Sequence, residues 1–425
     1  LGGVGRFARV KVLKLASWQA SKIPFRVRKT EIVSGTMKKV LLLGCGMQAY
    51  GAALDLIKFG NPSELILADA FPGMTAKLKE FLEKHTKPQK LTEIKVDVAD
   101  VNATAAAAKD CELILNAAPY KFALEITQAA IKAKVPMVDL GGDTERVLKQ
   151  LELSNDAKAA GITIIPDCGM GPGMTNITVG HAMEILDSAE TIITRDGGIP
   201  LHPKPPLFYH LVFAIETLTN EYTGMTTQMR NGKMIDIAPM TEIEQCDLPV
   251  VGKVEATHGM GMLSTLPWTY EGRVKNLENK FVRYPGHLTF LKTLRDAGFF
   301  SREEIKTERG MVEPRALTKA VMEKFLMPKG GEKDVSFIQT VSEGMKDGKK
   351  TVIEHWICDY SDEKTGLTSM QRTTGFTASI VGQMIVSGRL TAKGVLPPEL
   401  GVPKMPFFEE IQKRGFEFKW SQKSV

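Results

Sequence analysis

MKKVLLLGCGMQAYGAALDLIKFGNPSELILAD, residues 37–69, decides the fold. Val40 to Leu43 is an apolar run of the length of a buried parallel strand. It stops at Gly44-Cys45-Gly46-Met47-Gln48-Ala49, a GxGxxA turn. Ala52, Ala53, Leu56 and Ile57 then mark one face of a helix that ends at Gly60-Asn61-Pro62. A second apolar strand, Leu65 to Ala68, ends in Asp69. Gly44 permits the tight strand-to-helix turn, Gly46 lets the backbone approach a pyrophosphate, and small Ala49 lets helix and strand pack closely. The anion rests on free N–H groups at the positive end of the helix dipole. Asp69 follows Gly44 by 25 residues, near the roughly 20 expected for the acid on the ribose 2′-OH. Strand, turn, helix, strand and acid together predict a dinucleotide-binding unit.

Working outward, 425 residues leave room for two or three domains with a sizeable core. A hydrophobic content of 43% and a charged content of 24% are those of an ordinary globular protein. No apolar run approaches the roughly 18 residues of a membrane span, so membrane insertion is not expected. The five cysteines form no CxxC pattern, which argues against a disulfide framework or zinc site and suits a reducing, cytoplasmic setting. Residues 1–36 hold eight Lys/Arg against one acid, Glu31, a balance of +7. The remainder is near neutral, and no nucleic-acid footprint survives in it. This basic leader superficially suits organelle targeting. The reading adopted is that it lies outside the fold, and Met37 opens the first strand.

After Asp69 the alternation continues: strands at Glu93–Val98, Glu112–Leu115, Val135–Leu140 and Ile162–Ile165, with helical stretches between them. Repeated βα units predict an α/β, Rossmann-type doubly wound parallel sheet, with ligand at the carboxyl ends of its strands. Asp97, Asn116, Ala117 and Pro119 stand at such ends and join Gly44, Gly46, Met47, Ala49 and Asp69 as candidate cofactor contacts. From about 190 the texture changes to a second, mixed α+β domain. Asn231-Gly232 marks a type I′ hairpin turn, and 349–360 and 367–373 alternate like antiparallel strands. A helix is expected over 376–387. A homodimer or higher homo-oligomer is the expected assembly.

Three stretches in order carry a resemblance: GCGMQAYGAALDL (44–56), PDCGMGPGMTN (166–176) and RYPGH (283–287). The chain resembles the saccharopine dehydrogenase-like oxidoreductases, most closely the lysine 6-dehydrogenase branch. The resemblance covers most of 37–425. It implies an NAD(P)-dependent enzyme acting on a carbon–nitrogen bond of an amino acid. It also implies a discontinuous first domain, 37–165 with 374–425, around a substrate domain at 166–373. Saccharopine reductases carry Asp before the Pro-Gly of the middle motif, where this chain has Gly171. That departure points away from saccharopine itself. Asp143, where Asn is expected after the Gly pair, leaves the role of that loop open.

Amine oxidation needs a group that accepts protons near neutral pH. Asp167, at a strand end, could hold the substrate ammonium or act as base, and Asn176 could bind the same group or cap a helix. In Arg283-Tyr284-Pro285-Gly286-His287 the guanidinium could grip a carboxylate, and the Pro-Gly turn would aim Tyr284 and His287. His258 is a lesser candidate, and His202 and His210 lack metal-ligand spacing, so no metal is expected. NAD is expected over NADP because a carboxylate at Asp69 repels a 2′-phosphate. An amino-acid dehydrogenase leads. A saccharopine-type secondary-amine oxidoreductase and a non-catalytic nicotinamide-binding protein are the alternatives.

Overall fold

The apolar run before the glycine turn is strand β1 (Lys39–Leu43), fully buried from Val40 to Leu43. It opens the described part of the computed structural model, residues 37–424, so the leader lies outside the described residues. The chain then supplies β2 (Glu64–Asp69), β3 (Leu91–Lys95), β4 (Leu113–Asn116), β5 (Met137–Asp139) and β6 (Thr163–Ile165). The middle adds β7 (Ser188–Pro200), β8 (Thr226–Arg230), β9 (Lys233–Ile237), β10 (Glu244–Leu248), β11 (Gly252–Thr257) and β12 (Val274–Arg283). A short hairpin follows, β13 (Ile305–Thr307) and β14 (Gly310–Val312), then β15 (Asp334–Lys346) and β16 (Lys349–Tyr360). The tail contributes β17 (Gly394–Val395) and β18 (Glu417–Ser424).

The first sheet is parallel, in the order β17-β6-β5-β4-β1-β2-β3. Strand order reverses between β1 and β4, so the crevice beyond their carboxyl ends is where such a sheet takes its ligand. Gly44 and Asn116–Pro119 border that crevice. The second sheet is mixed, with β10-β11-β12-β7-β15-β16-β18 in order, β8 attached to β12 and β9 attached to β8. Asn231 and Gly232 both take positive φ (51° and 74°) in the β8–β9 turn, the type I′ geometry expected of Asn-Gly.

Two expectations need correction. Residues 367–373 are not a strand, because a helix runs from Ser369 to Val386. Thr368 and Gln371 form a reciprocal capping box, and Asp334 accepts from the Ser369 backbone N–H at 2.8 Å. The start of this helix is therefore settled by a residue 35 positions away as much as by local pattern. The tail, expected to join the first domain throughout, serves both sheets: β17 pairs with β6, but β18 pairs with β16.

The Ser369–Val386 helix crosses the helix Ala49–Asp55 at backbone contact. A Cβ on Gly51 would lie 1.9 Å from the Gln371 carbonyl oxygen, and one on Gly375 would lie 2.3 Å from the Ala52 nitrogen. Gln371 also donates to the Met47 carbonyl at 2.9 Å, so the tail helix braces the glycine turn from behind.

Candidate active site

The dinucleotide cradle is built by backbone geometry. Gly44 takes φ of 81°, and a Cβ there would meet Ala118 at 2.5 Å, so only glycine fits. A Cβ on Gly46 would meet nothing within 4 Å, so that position opens onto free space. Ala49 is buried at the first helical turn, and Met47 lies half-exposed at the lip. Asn116 is buried and its carboxamide oxygen accepts from Ala118 N–H at 3.0 Å, while Ala117 N–H donates to Leu43 at 2.7 Å. Asn116 thus shapes the loop that carries Ala117 and exposed Pro119. Asp97 is exposed and accepts from Ala99 N–H at 3.0 Å, a turn cap at the end of β3. The open glycine loop, the helix start and the terminal acid fit a dinucleotide.

Asp69 is pinned at both oxygens, by Cys45 N–H at 2.8 Å and Phe71 N–H at 2.9 Å. A carboxylate that cannot swing aside meets a 2′-phosphate with its charge. Of the lysines along the next helix, Lys79 is drawn to Glu93 at 3.2 Å. NADH should therefore bind at least about tenfold more tightly than NADPH. Fluorescence titration of the two reduced cofactors measures this, and tighter NADPH binding would refute it.

Asp167 lies at the end of β6 in left-handed backbone (φ 57°), with its side chain fully buried. Its backbone N–H donates to Asp139 at 2.9 Å. One carboxyl oxygen accepts from Gly142 N–H at 3.2 Å and the other from the Ser264 hydroxyl. Burial, reinforced by the Asp139 charge, raises its pKa to about 8. Gly141 must be glycine, since a Cβ there would sit 1.6 Å from the Asp167 carboxyl. The loop that carries Ser264 also carries Gly261, whose Cβ position is 3.5 Å from the Gly142 carbonyl. The second domain therefore closes directly over this carboxyl.

The RYPGH residues sit together but are mutually engaged. Arg283 is buried, donates to Glu221 at 2.6 Å and to Tyr222 at 3.3 Å, and lies over the Tyr209 ring at 4.8 Å. His287 donates from Nδ1 to the Leu207 carbonyl at 2.7 Å and accepts the Tyr222 hydroxyl at 2.8 Å through Nε2. Burial and the Arg283 charge lower its pKa to about 3, so it stays neutral. Tyr284 donates to the Pro200 carbonyl at 2.9 Å. Arg283 and His287, expected to reach the substrate, are thus each hydrogen-bonded to internal partners in this structure. Asn176 likewise accepts from Gly173 N–H at 3.1 Å and donates to buried Glu399 at 3.1 Å, which makes it a helix cap. His258 donates to Glu278 at 2.8 Å. Glu242, His258 and Glu278 lie within 4.8 Å of one another, but Arg230 bonds both carboxylates (2.9 and 2.7 Å) and fills the place of a cation.

Sequence reasoning missed Asp139, Ser264, Glu221 and Asp196. Asp196 is a buried acid on β7 that accepts from Asn279 at 2.7 Å, and burial raises its pKa to about 6. A Cβ on Gly171 would lie 2.5 Å from its other oxygen. An acid directly before Gly197-Gly198 in a strand was the available signal. Burial also lifts Glu221 to about 7, against the pull of Arg283. Glu221 carried no local signal.

The saccharopine dehydrogenase C-terminal domain model matches residues 169–416, more than half of the chain, and the saccharopine dehydrogenase NADP binding domain model matches residues 40–165. The chain belongs to the saccharopine dehydrogenase family. That membership brings a nicotinamide dinucleotide to the cradle described above. A carboxynorspermidine synthase of Vibrio alginolyticus is 24% identical over 408 residues, covering 89% of this chain and 96% of the relative. The mitochondrial alpha-aminoadipic semialdehyde synthase of Rattus norvegicus is 27% identical over 216 residues, or 48% of this chain. The match spans only 21% of that relative's length. An apo, histidine-tagged saccharopine dehydrogenase (L-Glu forming) from Saccharomyces cerevisiae superposes with a TM-score of 0.73 at 18% identity, over 91% of this chain and 100% of that one. That likeness concerns the fold. The lysine 6-dehydrogenase branch is not singled out by these relatives.

Proposed function

We propose that this family member is an NAD(P)-dependent oxidoreductase acting on the carbon–nitrogen bond of an amino acid, by oxidative deamination of the lysine 6-dehydrogenase kind. The supporting observation is Asp167, a buried carboxyl with a pKa near 8 at the carboxyl edge of the Rossmann sheet. A nicotinamide held at the Gly44–Ala49 turn would supply hydride transfer to or from the carbon that bears the nitrogen. Asp167 takes or returns the amine proton at its carboxyl oxygen, while Ser264 and Gly142 N–H orient that carboxyl. The Gly261–Ser264 segment lies against the Gly142 and Asp167 side of the site. Once the amine has lost its hydride and proton, water adds to the resulting imine and ammonia leaves. Arg283 and His287 support the wall of the site instead of gripping substrate.

A secondary amine of the saccharopine type is the second reading, and Asp196 favours it. This residue brings a carboxylate beside Gly171, the position where saccharopine reductases carry one of their own. The relatives named for saccharopine and carboxynorspermidine support the same reading. Both readings are tested by following absorbance at 340 nm. One arm mixes the protein with NAD or NADP and a panel of primary and secondary amino-acid amines. The other supplies NADH or NADPH with an amine and a 2-oxo acid or aldehyde. Turnover confined to primary amines supports the first reading, and reductive coupling supports the second. Cofactor binding with no turnover in either arm would leave a nicotinamide-binding protein.

A further inference from the structure

The β13–β14 hairpin projects from a closed base. The chain leaves at Ser301 and returns at Arg315, whose N–H donates to the Ser301 carbonyl at 3.0 Å. Among the described residues no other strand pairs with either half of this arm. Two short strands alone are marginal in water. Ile305 and Met311 are nevertheless 53% and 57% exposed, and the following helix, Pro314–Leu326, exposes Leu317, Val321 and Phe325 at helical spacing along one face. Half of the exposed large apolar side chains described in the chain fall between positions 290 and 327. Large exposed apolar groups concentrated in this way mark an interaction surface.

The charge pattern says what covers it. Thr307 pairs with Gly310 across a two-residue turn, so backbone bonding within the hairpin alternates from there. Lys306, and by the same alternation Glu304, turn their N–H and C=O groups outward. If a second copy of β13 is laid antiparallel against this edge, centred on Ile305, then Glu304 stands opposite Lys306 twice over and Ile305 opposite itself. Neither Glu304 nor Lys306 has an ion-pair partner among the described residues, whereas the neighbouring Arg302 is drawn to Glu216 at 3.3 Å. An arm whose edge is complementary to itself is what a two-fold interface requires. We propose that this hairpin is a dimerisation arm: β13 of one chain pairs antiparallel with β13 of a second copy, and the exposed apolar residues of the arm and its helix pack around the joint.

Sedimentation velocity and light scattering on the full chain test this. The wild type should be dimeric. Lys306→Glu and Glu304→Lys should each raise the dimer dissociation constant about tenfold or more, because symmetry places every like-charge pair twice. The double variant Glu304→Lys/Lys306→Glu should restore the dimer, and an equimolar mixture of the two single variants should form heterodimers. Both positions are exposed, so an unchanged far-UV circular dichroism spectrum and a cooperative melting transition certify that the monomeric variants fold. A wild-type chain that is monomeric at all concentrations would overturn the proposal. So would a dimer indifferent to both single reversals, one disrupted through Arg309 in the hairpin turn instead, or a double variant that stays dissociated.

Discussion

Asp167→Asn should lower turnover by two orders of magnitude or more, the usual scale for removing a positioned acid–base group. Asparagine keeps the size of the side chain but has no proton to exchange. The pH dependence carries the sign. With a pKa near 8, the Asp167 carboxyl is a neutral acid below that value and a base above it. Oxidative turnover should therefore rise as pH passes upward through about 8, and the reductive direction should fall over the same range. The variant should lose both limbs of this profile. Stability is linked to the same group. Its folded pKa is raised from an ordinary carboxyl value of about 3.9, so the folded state holds the proton more firmly than the unfolded chain does. That contribution is complete below about pH 4 and is lost as pH rises through about 8, so the melting temperature of the variant should decline less between pH 5 and 9. NADH affinity should not change, because Asp167 lies outside the glycine turn. Wild-type turnover in the variant would remove Asp167 from the chemistry.

Arg283→Met should be among the most destabilising single substitutions in the chain, costing about 3–5 kcal/mol in urea unfolding. The guanidinium is buried against Glu221 at 2.6 Å, and its charge also offsets that of Asp196. Removing it leaves two buried carboxyls without their cation. It also removes the donor that fixes the Tyr222 hydroxyl, through which His287 is held. The double variant Arg283→Met/Glu221→Leu should recover much of the loss, because the uncompensated charge goes with its partner. A substrate-gripping arginine would behave differently: KM would rise in Arg283→Met while the urea midpoint stayed in place. That outcome would reinstate the carboxylate role expected from the RYPGH motif.

The contrast between these two residues shows where sequence reasoning was effective. Asp167 and Arg283 stood out for the same reason, a charged residue inside a specific motif. Both are held by partners distant in the chain, but Arg283 meets an opposite charge in Glu221 whereas Asp167 meets only the Ser264 hydroxyl and Gly142 N–H. Arg283 reaches Glu221 across 62 residues, and His287 reaches Leu207 across 80. No pattern near 283–287 announces either partner. The helix at Ser369–Val386 gives the same lesson in backbone terms. Alternating residues at 367–373 suggested a strand, but Asp334 on β15 and the Thr368–Gln371 cap started a helix there. The glycines at 51 and 375 read as small helix residues, and only the crossing shows that a methyl group has no room at either.

The sequence by itself determined the nucleotide half of this protein. A buried strand, a glycine turn, an amphipathic helix and a terminal acid are local constraints, and each residue type acts within a few positions of its neighbours. The tertiary structure decided which charged groups are free and which are spent. Desolvation and pairing act through space, so the proton on Asp167, the silence of His287 and the carboxylate that Asp196 sets beside Gly171 exist only once distant strands have closed around them.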